Sequence, residues 1–218
     1  MTDALIHEWR LALLRKALPN VAFDGWTGKV LAAAAGEAGL DEGQVDLAFP
    51  NGVVDLICFF MAEGDRRLED RLKSEDIAGM KVRARIAHAL RTRIELDTPH
   101  REAVRRAGAV LALPTSGAAG LRALYHSVDS IWRAAGDTST DLNFYTRRAT
   151  LAAVYAATVL YWLGDESDDF ADTWAFIDRR IGDVMQIEKA KKGLKKFAGR
   201  LPDPVRLLGR LRYAGPWG

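Results

Sequence analysis

Apolar residues recur every three to four positions along almost the whole chain, and no stretch alternates in the two-residue rhythm of a strand. That pattern leaves an all-α fold. The spacing predicts helices near 3–18, 27–38, 42–49, 52–74, 80–96, 101–112, 117–135, 142–163 and 169–188. Proline and glycine punctuate them at Pro19-Asn20, Pro50-Asn51-Gly52, Pro99, Pro114, Gly136 and Gly164. The 218 residues, 49% of them apolar, suffice for one sizeable domain or a small module joined to a larger one. The longest mostly apolar run, "ATLAAVYAATVLYWLG", has 16 residues. A membrane-crossing helix needs about 20, so the run reads as a buried core or interface helix.

Little here can support catalysis. Four histidines and one cysteine, Cys58 in the apolar run "VVDLICFFM", offer few nucleophiles or metal ligands. No phosphate-binding glycine loop, GxSxG elbow, HExxH or Glu-x-x-His pair occurs. The expectation is therefore no catalytic residue, no metal and no cofactor. His126 reads as a packed or surface side chain. The acids Asp165, Glu166, Asp168, Asp169 and Asp172 gather at a helix start, where carboxylates suit the positive end of the helix dipole. A single cysteine excludes an internal disulfide and suits a reducing compartment. The opening "MTDALIHEWRLALLRKALPN" carries Asp3 and Glu8 and reads as a helix rather than a secretory signal.

The net charge of +2 hides an uneven distribution: from Gln186 onward nine bases face two acids, leaving −5 for the remainder. In "QIEKAKKGLKKFAGRL" the apolar Ile187, Ala190, Leu194, Phe197, Ala198 and Leu201 fall at helical spacing. Lys189, Lys191, Lys192, Lys195, Lys196 and Arg200 take the other side. After Pro202 and Pro204 the apolar face resumes with Leu207, Leu208 and Leu211, beside Arg206, Arg210, Tyr213 and Trp217. A basic amphipathic segment with terminal aromatics suits the surface of an anionic membrane. The same segment could instead fold back on its own domain. The candidate membrane-binding residues are Lys191, Lys192, Leu194, Lys195, Phe197, Leu201, Leu208 and Arg210.

The stretch "KVLAAAAGEAGLDEGQVDLAFPNGVVDLICFF" resembles the N-terminal helix-turn-helix module of TetR-type repressors, with a turn at Gly39 and Phe49-Pro50 before a longer helix. Its charge opposes DNA reading. Between Asp24 and Asp55 stand Asp24, Glu37, Asp41, Glu42, Asp46 and Asp55 against Lys29 alone, where phosphates call for Lys and Arg. No nucleic-acid partner is expected.

From Leu124 onward, Trp132 ahead of "AGDTSTD", then "YTRRATLAAVY", then "DDFADTWAFIDRRI" are similar to the signature region of the coenzyme Q biosynthesis accessory protein nine family. The resemblance implies an all-α, TetR-like fold with three parts: a helix-turn-helix-like module at 1–60 that does not read DNA, a helical lipid-binding and dimerisation domain at 61–187, and a basic amphipathic membrane-binding tail at 188–218. It implies an accessory protein of ubiquinone biosynthesis rather than an enzyme, with a lipid or isoprenoid quinone as its ligand. The implied partners are the demethoxyubiquinone hydroxylase, membrane lipids and a second copy of the chain. The expected location is the cytoplasmic side of a bacterial inner membrane, with the mitochondrial inner membrane for eukaryotic relatives.

Residues can be attached to these roles. Ala152, Ala153 and Ala156, with Tyr155, either permit close helix packing or leave room for a chain-like apolar ligand. In "GDTSTDLNFYTRR" one of Ser139, Thr140 or Asp141 caps the long helix, while Phe144 and Tyr145 lie about 100° apart on it. In the family this patch, Asp141, Phe144 and Tyr145 with an apolar residue matching Ile131, is implicated in hydroxylase docking. A TetR-type ligand-responsive repressor and a ligand-free dimeric scaffold stand as alternatives.

Overall fold

The computed structural model describes residues 3–136 and 143–198, with side chains at 3–136 and 146–184. The helices are α1 (Asp3–Asp24), α2 (Gly28–Ala38), α3 (Glu42–Ala48), α4 (Val53–Lys73), α5 (Val82–Asp97), α6 (Arg101–Leu111), α7 (Gly117–Ala134), α8 (Asn143–Gly164) and α9 (Ala171–Ala198). No strand occurs among the described residues. Two compact units are present, Met1–Ile177 and Asp178–Gly218.

The first three helices form around a small-residue core. Thr27 caps α2 by accepting from the Val30 N–H at 3.3 Å, and Gly39 ends it in the left-handed region at φ 67°. Asp41 and Gln44 form a reciprocal capping box on α3, with bonds of 2.8 and 2.9 Å. Ala34 and Ala48 are fully buried with Leu13, Ala17 and Val21 of α1. The same core includes Leu56, Ile57 and Phe60 of α4 and Ala103 and Ala107 of α6, so the packing continues past residue 60. Trp26 adds a directional tie by donating from Nε1 to the Ala103 carbonyl at 2.9 Å.

One helix outruns its predicted end. Pro19 marked a stop after residue 18, yet α1 continues to Asp24 with the proline inside. An internal proline costs about 3 kcal/mol through a lost hydrogen bond and a clash. Val21, fully buried in the turn beyond it, offsets part of that cost, and the Gly25 N–H closes the helix on the Val21 carbonyl at 3.0 Å.

In the larger part of the first unit α4 packs on α5 and α7, and α7 on α8. A buried polar network joins three of these helices. Arg93, 2% exposed, donates from Nε to Asp65 at 3.0 Å, from Nη2 to the Met61 carbonyl at 3.2 Å, and from Nη1 to Asp97. Ser127 of α7 donates to the second Asp65 oxygen at 2.8 Å, and Arg67 stands 3.7 Å from Asp97. Two acids and two guanidiniums thus balance inside the bundle, as a buried charge requires. Burial pushes the Asp65 carboxyl up, against the pull of the Arg93 guanidinium. The Tyr155 phenol is pushed up chiefly by burial.

The end of α8 is held by arginines from α6. Arg101 donates to the carbonyls of Trp162 and Asp165 at 2.5 and 2.7 Å, and Arg105 to that of Leu163. The last carbonyls of a helix lack partners further along it, so the guanidiniums join the Asp165 N–H, which donates to the Trp162 carbonyl at 3.1 Å, in satisfying this end and complementing the helix dipole.

Candidate functional site

Clefts open on the first unit, and two of them bear on function. The larger, about 520 Å³, runs between α1, the α3–α4 turn, α4 and the start of α7. Phe49, Phe59 and Met61 give it apolar walls, Asp65 closes its floor, and Arg10, Arg122 and His126 stand at its margin. The second, about 340 Å³, lies where α4 ends beside the end of α7, lined by Glu69, Leu72, Lys73, Ile77, Arg133 and Ala134.

The second cleft adjoins the corner where α7 leads toward α8. Arg148 of α8 is 3% exposed and donates from Nε to Asp129 of α7 at 2.7 Å; Arg133 holds the other Asp129 oxygen at 3.0 Å. This pins the first turns of α8 to α7. Ile131, predicted as part of a partner surface, is fully buried, so it supports the corner from within. Phe144 and Tyr145 lie on the α8 backbone in its first turn. Asp141 lies outside the described residues, as do Leu201, Leu208 and Arg210. Lys191, Lys192, Leu194, Lys195 and Phe197 fall on the helical backbone of α9.

The small residues of α8 divide between faces. Ala152 and Ala156 are half-buried, Ala153 is exposed, and Tyr155 is 4% exposed. None of the four lines either cleft. Leu160 and Tyr161 extend the exposed side, with the Tyr161 ring stacked on Phe176 at 4.6 Å between centroids. The acidic stretch after α8 performs capping. Asp165 accepts from the Ser167 N–H and hydroxyl at 2.8 and 2.6 Å, and from the Thr173 N–H at 2.9 Å and its hydroxyl. Ser167 in turn accepts from the Asp172 N–H at 3.1 Å. No group of three potential metal ligands occurs among the described residues.

Comparison with solved structures establishes the fold. A TetR transcriptional regulator from Nitrosomonas europaea superposes with a TM-score of 0.63 at 18% identity, covering 80% of this chain and 97% of that one. The decisive match lies in the sequence. The COQ9 family model matches residues 117–188, from the first turn of α7 into α9. The mitochondrial ubiquinone biosynthesis protein COQ9 of Rattus norvegicus is 35% identical over 190 residues, 84% of this chain and 61% of its own length. The chain is similar to the COQ9 proteins along most of its length. The Homo sapiens protein of the same name is also 35% identical, across 84% of this chain and 59% of its own. The Drosophila melanogaster protein is 31% identical across 85% of this chain. The chain thus spans about 60% of the length of these mammalian relatives.

The stretch matching the COQ9 model contains the pinned corner, the exposed side of α8 and the Asp165 cap. It does not contain Arg10, Phe49, Phe59 or Met61 of the larger cleft, which the sequence reading missed. A signal for that region was present: Asp65 follows Gly64 inside the amphipathic α4, and Arg93 and Asp97 stand one helical turn apart. Charges set into an apolar helix face ask for a partner across it.

Proposed function

We propose that this chain is an accessory protein of ubiquinone biosynthesis, without catalysis of its own. It binds isoprenoid quinone intermediates and presents them, at a membrane surface, to the hydroxylase that acts on demethoxyubiquinone. The observation that carries this reading is the similarity to the COQ9 ubiquinone biosynthesis proteins, spread over 84% of the chain. The local structure supports it. The Asp129–Arg148 pair ties the first turns of α8 to α7, and the α8 backbone carries Phe144 and Tyr145 in its first turn. The basic tail supplies attraction to an anionic bilayer of about 1 kcal/mol per Lys or Arg near the surface. The chain works as a homodimer, with the exposed Leu160 and the half-buried Ala156 of α8 offered to a second copy. It acts from the cytoplasmic side of the inner membrane of a bacterium.

The test is extraction under native conditions, with the bound lipids identified by mass spectrometry, followed by a pull-down of the hydroxylase. An isoprenoid lipid should copurify, and Tyr145→Ala should weaken hydroxylase capture at least tenfold while the melting temperature holds. Repeated preparations free of isoprenoid lipid, together with hydroxylase capture indifferent to Tyr145, would sink the proposal.

A further inference from the structure

The larger cleft belongs neither to the docking corner nor to the basic tail, and its chemistry is separate from theirs. It is built by Arg10 of α1, Phe49 at the end of α3, Phe59 and Met61 of α4, and Arg122 and His126 of α7. The aromatic walls are organised, with the Phe49 and Phe59 centroids 5.9 Å apart and the rings tilted by 60°. The Arg10 guanidinium lies over the Phe49 ring at 5.8 Å and is fixed by its Nε, which donates to the Ala48 carbonyl at 2.7 Å. Arg122 likewise uses only Nε, donating to the Ala118 carbonyl at 3.3 Å. Neither guanidinium has a carboxylate partner among the described residues. Most other arginines of α4 to α7 do have one: Arg66, Arg71, Arg91, Arg93, Arg105, Arg106 and Arg133 are each paired with Asp or Glu.

The charge balance sets the class of ligand. The floor acid Asp65 is matched within the buried network by Arg93 and already holds hydrogen bonds from Arg93 and Ser127. Asp55, the remaining acid of the cleft, accepts from the Asn51 N–H and side-chain amide at 2.8 and 3.1 Å. Arg10 and Arg122 against Asp55 leave one positive charge in excess. We infer that this cleft binds a small organic monoanion, an apolar body bearing one carboxylate. The body sits between Phe49, Phe59 and Met61, and the carboxylate accepts from the open N–H groups of Arg10 and Arg122. A cavity of about 520 Å³ holds a body of one or two rings or a medium-length chain. The fork of a guanidinium matches a carboxylate in two parallel hydrogen bonds. Cys58 beside it remains a thiol, since burial and then Asp55 push its pKa up against the smaller effect of Arg122. Because the walls come from α1, the α3–α4 turn, α4 and α7 together, an occupant would clamp the first three helices to the rest of the unit.

Calorimetric titration of the full chain with naphthoate and with decanoate, each beside its primary amide, tests this. At least one carboxylate should bind, and its amide should bind at least tenfold more weakly. Which acid binds tighter sets the shape of the body. Arg122→Glu, at an exposed position, should weaken the carboxylate at least tenfold, and Ala62→Trp, also exposed, should block the cleft. Methionine methyl spectra locate the site independently: Met61 should shift on titration while Met80 holds. Binding no tighter than about 1 mM by either acid, equal binding of acid and amide, or an unmoved Met61 overturns the proposal. The lipid and hydroxylase reading stands or falls separately, because Ala62→Trp should leave both of its readouts unchanged.

Discussion

Asp165 holds the start of α9 with four hydrogen bonds, and its ionisation follows from them. Burial works against the charge, but the bonds from Ser167 and Thr173 outweigh it and hold the carboxyl down to about 2, from an ordinary 3.8. A carboxyl lowered on folding contributes stability that is complete above the unfolded value and lost as pH falls through the folded one. Asp165→Asn should therefore cost about 1–2 kcal/mol near neutral pH. That difference from the parent chain should shrink between pH 4 and 2, as read by urea unfolding across this range. Gly64 makes a second residue-scale prediction. Replacing an internal helix glycine with alanine commonly stabilises by about 1 kcal/mol. Here a Cβ would lie 2.6 Å from Arg93 Cζ and collide with its Nη2, where the guanidinium is held by Asp65 and Asp97. Gly64→Ala should instead destabilise by about 1–3 kcal/mol, seen as a lower urea midpoint with an unchanged slope.

At the scale of elements, periodicity and punctuation located the helices because caps and turns are local chemistry. Thr27, Gly39 and the Asp41–Gln44 box each act within a few residues of their place in the chain. Pro19 misled because the force carrying α1 past it, burial of Val21 against other helices, is not local. The same limit applied to function. The family signature was legible as ordered motifs, whereas the cleft was not, since Arg10, Phe49, Met61 and Arg122 converge only through packing. Ile131, which the resemblance attaches to the docking patch, is completely buried, a placement that only packing decides. The basic tail is an element whose pattern alone makes a prediction. Removing 188–218 should abolish flotation with vesicles of anionic phospholipid and leave the melting temperature of the remainder unchanged. Zwitterionic vesicles should bind the full chain far more weakly, and the anionic binding should fall as salt rises. Retention of vesicle binding after truncation would place the contact elsewhere.

At the scale of the molecule, the chain shares its fold with a transcriptional regulator while its N-terminal charges oppose DNA. Those acids are partly explained by local roles. Asp41 caps α3, Asp55 holds Asn51, and Glu37 lies 3.7 Å from Lys16. Asp24, Glu42 and Asp46 remain exposed, with Lys29 the only base among residues 24–55. A phosphate backbone approaching α3 would meet like charge, and binding of that kind is governed by the number of phosphates neutralised. Any duplex binding by the full chain should come through the tail, ignore base sequence and survive substitutions in α3. Joint Glu42→Lys and Asp46→Lys, both on the exposed side of α3, should leave the fold intact and raise duplex affinity at least tenfold, with a steeper dependence on salt. Gel-shift titrations at two salt concentrations measure both quantities. A sequence-specific footprint by the parent chain, lost on altering α3, would restore the repressor reading. Whatever its response to DNA, the helix-turn-helix packs on α4 and α6 through Phe60 and the Trp26–Ala103 bond.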